Sequence, residues 1–169
     1  MKKKRIVIGI IILLVIGGTW YMKREKDLAE LHDIQTDLAN YLYNNYRLYT
    51  VDKRKDEQLN SEYNKGKGTL TTEEFLKKSD ELKEYSDIEK IEFTGYEISP
   101  MNTLEIKYKI NDKIEKETSL DTISAETNKL LYRVGEHDGE GPFYLEKKEN
   151  TTKLSTPENL IVYYEGGIK

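Results

Sequence analysis

An uncharged apolar run near the amino end constrains this chain more than any other feature. Residues 6–22 carry no charged side chain; Lys2, Lys3, Lys4 and Arg5 precede them, and Lys23, Arg24, Glu25, Lys26 and Asp27 follow. As a helix the run reaches about 25 Å, close to the roughly 30 Å of a bilayer's hydrocarbon core, and snorkelling of Arg5 and Lys23 covers the difference. Trp20 and Tyr21 fall where an outer aromatic belt belongs. The run therefore reads as a transmembrane helix over 6–22, with a basic cytoplasmic tail over 1–5. Basic residues concentrate before the run, and acidic ones dilute them after it, so residues downstream are expected outside the cell. An uncleaved anchor is preferred to a signal peptide because no Ala-x-Ala-like cleavage site follows the run. The chain has no cysteine, which excludes lipid attachment at such a site.

The part after the span, residues 23–169, holds all 31 acidic residues and 23 basic ones, a net charge of −8. That balance disfavours nucleic-acid binding, which needs a basic footprint, and suits a cationic protein or peptide partner. The missing cysteines also exclude disulfides, thiolate catalysis and thiolate metal sites. An exported domain of this size must then be held by its core alone, and its length allows that.

Along the chain the hydrophobic period changes. Leu28, Leu31, Ile34, Leu38, Leu42 and Tyr46 recur at spacings of three and four, the mark of one apolar helical stripe. A helical stalk over 23–51 is expected, continuing from the span. Residues 52–68 are charged, glycine-tipped and aperiodic, and read as a loop. A second helix over 72–86 starts at a capping box formed by Thr71 and Glu74. From residue 88 on the period becomes two. Ile91 and Phe93 alternate with charges, Gly95 shifts the parity to Tyr96 and Ile98 as a bulge would, and Leu104, Ile106, Tyr108 and Ile110 alternate with Glu105, Lys107 and Lys109. Asn111-Asp112-Lys113 turns that strand into Ile114–Leu120. Further strands are expected over 130–134, 143–147 and 160–164. The expected architecture is α+β: an N-terminal transmembrane helix, a helical stalk or layer, then an antiparallel β-meander of four to six strands within an extracytoplasmic domain over 69–169.

The search for chemistry returns little. No serine-hydrolase elbow, zincin helix, P-loop or dinucleotide fingerprint occurs. His32 lies on the charged side of the first helix. His137 sits in an acidic turn without EF-hand spacing. No catalytic, metal or cofactor residues are assigned, and the chain is read as a non-enzyme. Among thirteen tyrosines, Tyr41, Tyr43, Tyr46 and Tyr49 cluster, and they form the candidate interface, since tyrosine combines a rigid apolar ring with a hydrogen-bonding tip.

Residues 88–93 (Ile-Glu-Lys-Ile-Glu-Phe), Ser99-Pro100-Met101 and 106–112 (Ile-Lys-Tyr-Lys-Ile-Asn-Asp), with the anchor, resemble small single-span proteins of unknown function from Listeria, Bacillus and streptococcal relatives. In that family a glycine follows Pro-Met, where this chain has Asn102. The resemblance implies a membrane-tethered α+β domain. The resulting expectation is a single-pass, membrane-tethered binding module, an immunity or envelope accessory protein. A structural subunit of an envelope or pilus-like assembly is the alternative.

Overall fold

The computed structural model describes residues 28–65, 70–100, 103–120, 130–137 and 141–166. The expected tail and span over 1–22 lie outside them, as do residues 23–27 of the expected stalk and 66–68 of the expected loop. Among the described residues no helix is long and apolar enough to cross a membrane.

Helix α1 covers residues 28–45. Much of its stripe is buried as the spacing predicts: Leu31, Leu38 and Leu42 are at most 4% exposed, with Ala39 beside them, while Leu28 and Ile34 are half-buried. The described helix is therefore no free-standing stalk but part of the core. It also ends before residue 51, because Tyr46–Val51 forms strand β1. Tyrosine, valine and threonine favour strands when a pairing partner exists, and β1 has one on each side.

Residues 52–68 were expected to be a loop, yet Lys53–Asn64 forms helix α2. Asp52 caps it, accepting from the Arg54 and Lys55 amides at 3.0 and 3.3 Å. Leu59 is its one buried residue, and Tyr63 stacks on Phe75 with centroids 4.3 Å apart. With so few apolar residues the helix has no visible period. Helix α3, Thr72–Glu81, starts at the expected capping box: Glu74 N donates to Thr71 Oγ1, and Thr71 N donates to the Glu74 carboxylate. It stops five residues short of the expected end, because Lys83–Ser86 forms strand β2 beside β1. Cross-strand pairing overrides local helix preference here.

Strands β3 (Ile91–Ile98), β4 (Leu104–Ile110) and β5 (Ile114–Leu120) form the expected antiparallel meander. The register shifts between Phe93 and Gly95, which is the expected bulge. Asn111 and Asp112 adopt positive φ in the β4–β5 turn. Asn tolerates that conformation, and Asn111 Oδ1 also accepts from the Glu89 and Lys90 amides.

Two features depart from a single antiparallel sheet. Strand β6, Phe143–Lys147, has its expected bounds but pairs with β1, giving a separate three-stranded sheet in the order β2-β1-β6. Strand β7 is shorter than expected, Ile161–Val162, and runs parallel to β3 at the end of a four-stranded sheet in the order β5-β4-β3-β7. Leu130 makes an isolated bridge, and 131–134 form no strand. That segment is instead held to β5 through Thr118, whose hydroxyl donates to Arg133 O and accepts from Arg133 N.

One core joins the parts. Leu38 and Leu42 of α1, Leu48 of β1, Leu145 of β6, and Ile91, Ile106, Tyr108 and Ile110 of the meander are essentially inaccessible. The C-terminal segment is strapped along α1 by three amide side chains. Gln35 bonds both the carbonyl and the amide of Tyr164, Asn40 Oδ1 accepts from Thr156 N, and Asn44 bonds Leu154 through both its oxygen and its nitrogen. Burying these amides is tolerable because their polar atoms find partners.

Candidate functional site

The two sheets carry different sets of polar and aromatic side chains on their outer faces. Alternation turns Ile91, Phe93, Tyr96, Ile106, Tyr108, Ile110, Ile114 and Thr118 into the core. The intervening positions of β3, β4 and β5 therefore face outward. The charged ones are Glu92, Glu97, Glu105, Lys107, Lys109, Glu115 and Glu117, five carboxylates against two ammonium groups. The register sets their neighbours. Lys109 lies opposite both Glu92 and Glu115 and bonds Glu115 at 2.6 Å. Lys107 bonds Glu97 at 2.6 Å, which holds the Glu97 carboxyl below its ordinary range. Glu97 and Glu105 lie directly opposite each other. Like charges in that position weaken a sheet, and here the chain keeps two carboxylates side by side on an exposed face.

The outer face of the three-stranded sheet is different. Tyr85, Tyr49 and Tyr144 occupy one cross-strand row, since Tyr49 is the direct partner of both others. Tyr49 stacks on Tyr144 with centroids 5.2 Å apart and meets Tyr85 at 6.2 Å. The Arg47 guanidinium lies 3.6 Å from the centre of the Tyr85 ring, and Lys83 Nζ lies 5.0 Å from that of Tyr49, both in cation–π range. Glu146 joins the two cations, bonding Arg47 at 2.8 Å and Lys83 at 2.5 Å, while Asp80 takes a further Lys83 hydrogen at 3.0 Å. The Tyr49 hydroxyl and His137 Nδ1 are 2.8 Å apart. A cleft of about 590 Å³ opens beside this row, lined in part by Lys53, Asp56 and Glu57 of α2.

The electrostatics of this cluster favour structure over reactivity. Burial works to lower the Lys83 ammonium, but its bonds to Glu146 and Asp80 more than offset that and hold it above the ordinary lysine range. Burial raises Tyr49 and Tyr85. Burial would likewise raise Glu146, yet hydrogen bonds from Lys83 and Arg47 bring it below the usual carboxylate value. A fully charged lysine and neutral phenols can bind and orient; at neutral pH they are poor nucleophiles and bases.

The four tyrosines singled out from the sequence do not form one surface. Tyr46 and Tyr49 are 3% and 6% exposed, too buried to offer rings to a partner. Three residues apart on one strand, they point to opposite faces: Tyr46 into the core, Tyr49 into the outer row. Tyr41 packs against Tyr46 and Tyr132 at 5.9 and 5.2 Å, and Tyr43 is partly buried beneath Lys148. Their ring area stabilises the fold itself. His32 stacks on Tyr163 at 3.9 Å, a structural contact joining α1 to the C-terminal segment. The opposed glutamates were written in the sequence as alternation, but their juxtaposition needed the register across the Gly95 bulge. Compared with known proteins, the chain matches no family model, no curated protein and no solved structure.

Proposed function

We propose that this chain is a membrane-tethered binding module. Residues 6–22 hold it in the bilayer with the N-terminus inside, and the α+β domain outside captures a cationic protein or peptide. The observation that carries the reading is the direct opposition of Glu97 and Glu105 on the exposed face of the four-stranded sheet, with Glu117 opposite Lys107 beside them and Glu92 and Glu115 further along the same face. A sheet gains nothing from opposed like charges. A partner's lysines or arginines placed between them would relieve the repulsion and add charge-assisted hydrogen bonds.

The test uses the full chain in detergent and a fluorescent deca-lysine probe. Binding that weakens steeply with salt, and falls at least tenfold in a Glu97→Gln/Glu105→Gln/Glu117→Gln variant, is expected on the general behaviour of charge-steered interfaces. Undiminished binding by the triple variant would remove the sheet face from consideration. Topology is tested separately. Protease added to intact, wall-stripped cells should destroy the domain; survival of the domain until lysis would place it inside.

A further inference from the structure

Strand β2 ends the three-stranded sheet, and among the described residues β1 is the element paired along it. Its far side therefore offers backbone donors and acceptors to another strand. All four of its residues are reached by solvent, and Tyr85 is 40% exposed although two further tyrosines continue its row inward. Among the described residues the aromatic row thus stops at an unpaired edge.

We infer that β2 is a self-pairing edge, at which a second copy of this chain adds antiparallel about a two-fold axis through Tyr85. An axis perpendicular to the sheet keeps outer face with outer face, as an isologous contact requires. In that register Tyr85 lies opposite Tyr85 of the second copy. The row becomes Tyr144-Tyr49-Tyr85 followed by Tyr85-Tyr49-Tyr144. Lys83 then faces Asp87 of the second copy, and Asp87 faces the second copy's Lys83. Glu84 faces Ser86, with no charge opposed to its like within the strand. Lys83 stays bonded to Glu146 and Asp80, so its attraction to the second copy's Asp87 acts as charge on charge across the edge rather than through a further hydrogen bond. An odd slide would set outer-face residues against inner-face ones, which this axis does not allow, and a slide of two residues in one direction sets Glu84 against Glu84. The Lys83 and Asp87 charges thus favour the register centred on Tyr85 for a matched copy. This pairing does not depend on what the acidic face binds.

The absence of native cysteine makes the test clean. Single-cysteine variants of the full chain, Tyr85→Cys, Ser86→Cys and Val162→Cys, are oxidised in membranes. Directly opposed antiparallel residues bring their Cα atoms within disulfide reach. Tyr85→Cys should therefore form the doubled-mass species several-fold more than Ser86→Cys, whose direct partner is Glu84, and more than Val162→Cys on the other sheet. Because Tyr85→Cys removes the ring itself, the cysteine-free chain is also sized in detergent by light scattering. The wild type should be dimeric, and Asp87→Lys, which sets lysine against Lys83, should shift it to monomer. Equal crosslinking at all three positions, a crosslinked product of some other mass, or a mass unchanged by Asp87→Lys would overturn the proposal.

Discussion

The two sheets share one core through α1, yet their outer faces have opposite characters. The three-stranded sheet turns three tyrosines and a closed ion network outward, with Glu146 holding Arg47 and Lys83 in partly buried positions. The four-stranded sheet turns out a lattice of glutamate and lysine that stays in water. Both obey the same two-residue alternation, so alternation alone does not separate a face that completes the fold from one free to bind. The difference lies in desolvation. Partly buried charges must be paired or they cost stability, whereas solvated ones are nearly neutral to it and can be chosen for other reasons.

The largest effect should come from the element the two sheets share. Leu38→Ala removes a wholly buried side chain where both sheets meet α1. It should cost about 3 kcal/mol, and both sheets should melt together in one transition followed by far-ultraviolet and tyrosine circular dichroism. Separate transitions would show that the sheets are independent, which would end the comparison on which the other predictions stand.

Glu146→Gln comes next. It leaves Lys83 and Arg47 partly buried without their common counter-ion, and about 2 kcal/mol is expected in urea unfolding. The pH dependence has a definite sign. A carboxylate whose folded value is depressed stabilises above its unfolded value and loses that contribution as pH falls through the folded one. Glu146 is depressed, so the gap between wild type and Glu146→Gln should be full at pH 6 and close as the pH drops below the ordinary glutamate range. A gap that widens on acidification would refute the assignment.

Gly141→Ala probes the tyrosine row more gently. Gly141 has φ +66°, and an added Cβ would run into the Tyr144 hydroxyl. Left-handed backbone without glycine costs about 1 kcal/mol, and Tyr144 must also shift. A matching loss of thermal stability, with altered tyrosine circular dichroism, is expected; an unaltered spectrum would show that Tyr144 does not sit against this turn.

The smallest effect belongs to the wet face. Lys109→Ala breaks the ion pair with Glu115 on a face that solvent reaches, and the unfolding midpoint should not move measurably at physiological salt. A loss comparable to that of Glu146→Gln would mean that this face, too, is structural.

Residue order by itself carried the α1 stripe, the Thr71–Glu74 capping box, the Gly95 bulge, the β4–β5 hairpin and the acidic balance. Each depends on residues a few positions apart, or on composition, and a single strand of text displays such relations. The α+β class followed from the switch of period from 3.6 to two. Other features were decided only in three dimensions. β1 takes its strand form from β2 and β6, which come from distant parts of the chain. α2 rests on a cap and one buried leucine rather than on a stripe. Gln35, Asn40 and Asn44 look like ordinary helix polar residues until the C-terminal segment lies across them. The four clustered tyrosines mark sequence proximity, but one residue's change of parity sends neighbours on a strand to opposite faces. Of the four, Tyr49 alone joins the outer row, and its partners Tyr85 and Tyr144 are found by register. The opposed Glu97 and Glu105 likewise exist as a pair only once the bulge has set the register. Local preference is short-ranged and additive, while pairing is long-ranged and chosen by the whole core, which is why the one was legible in the sequence and the other was not.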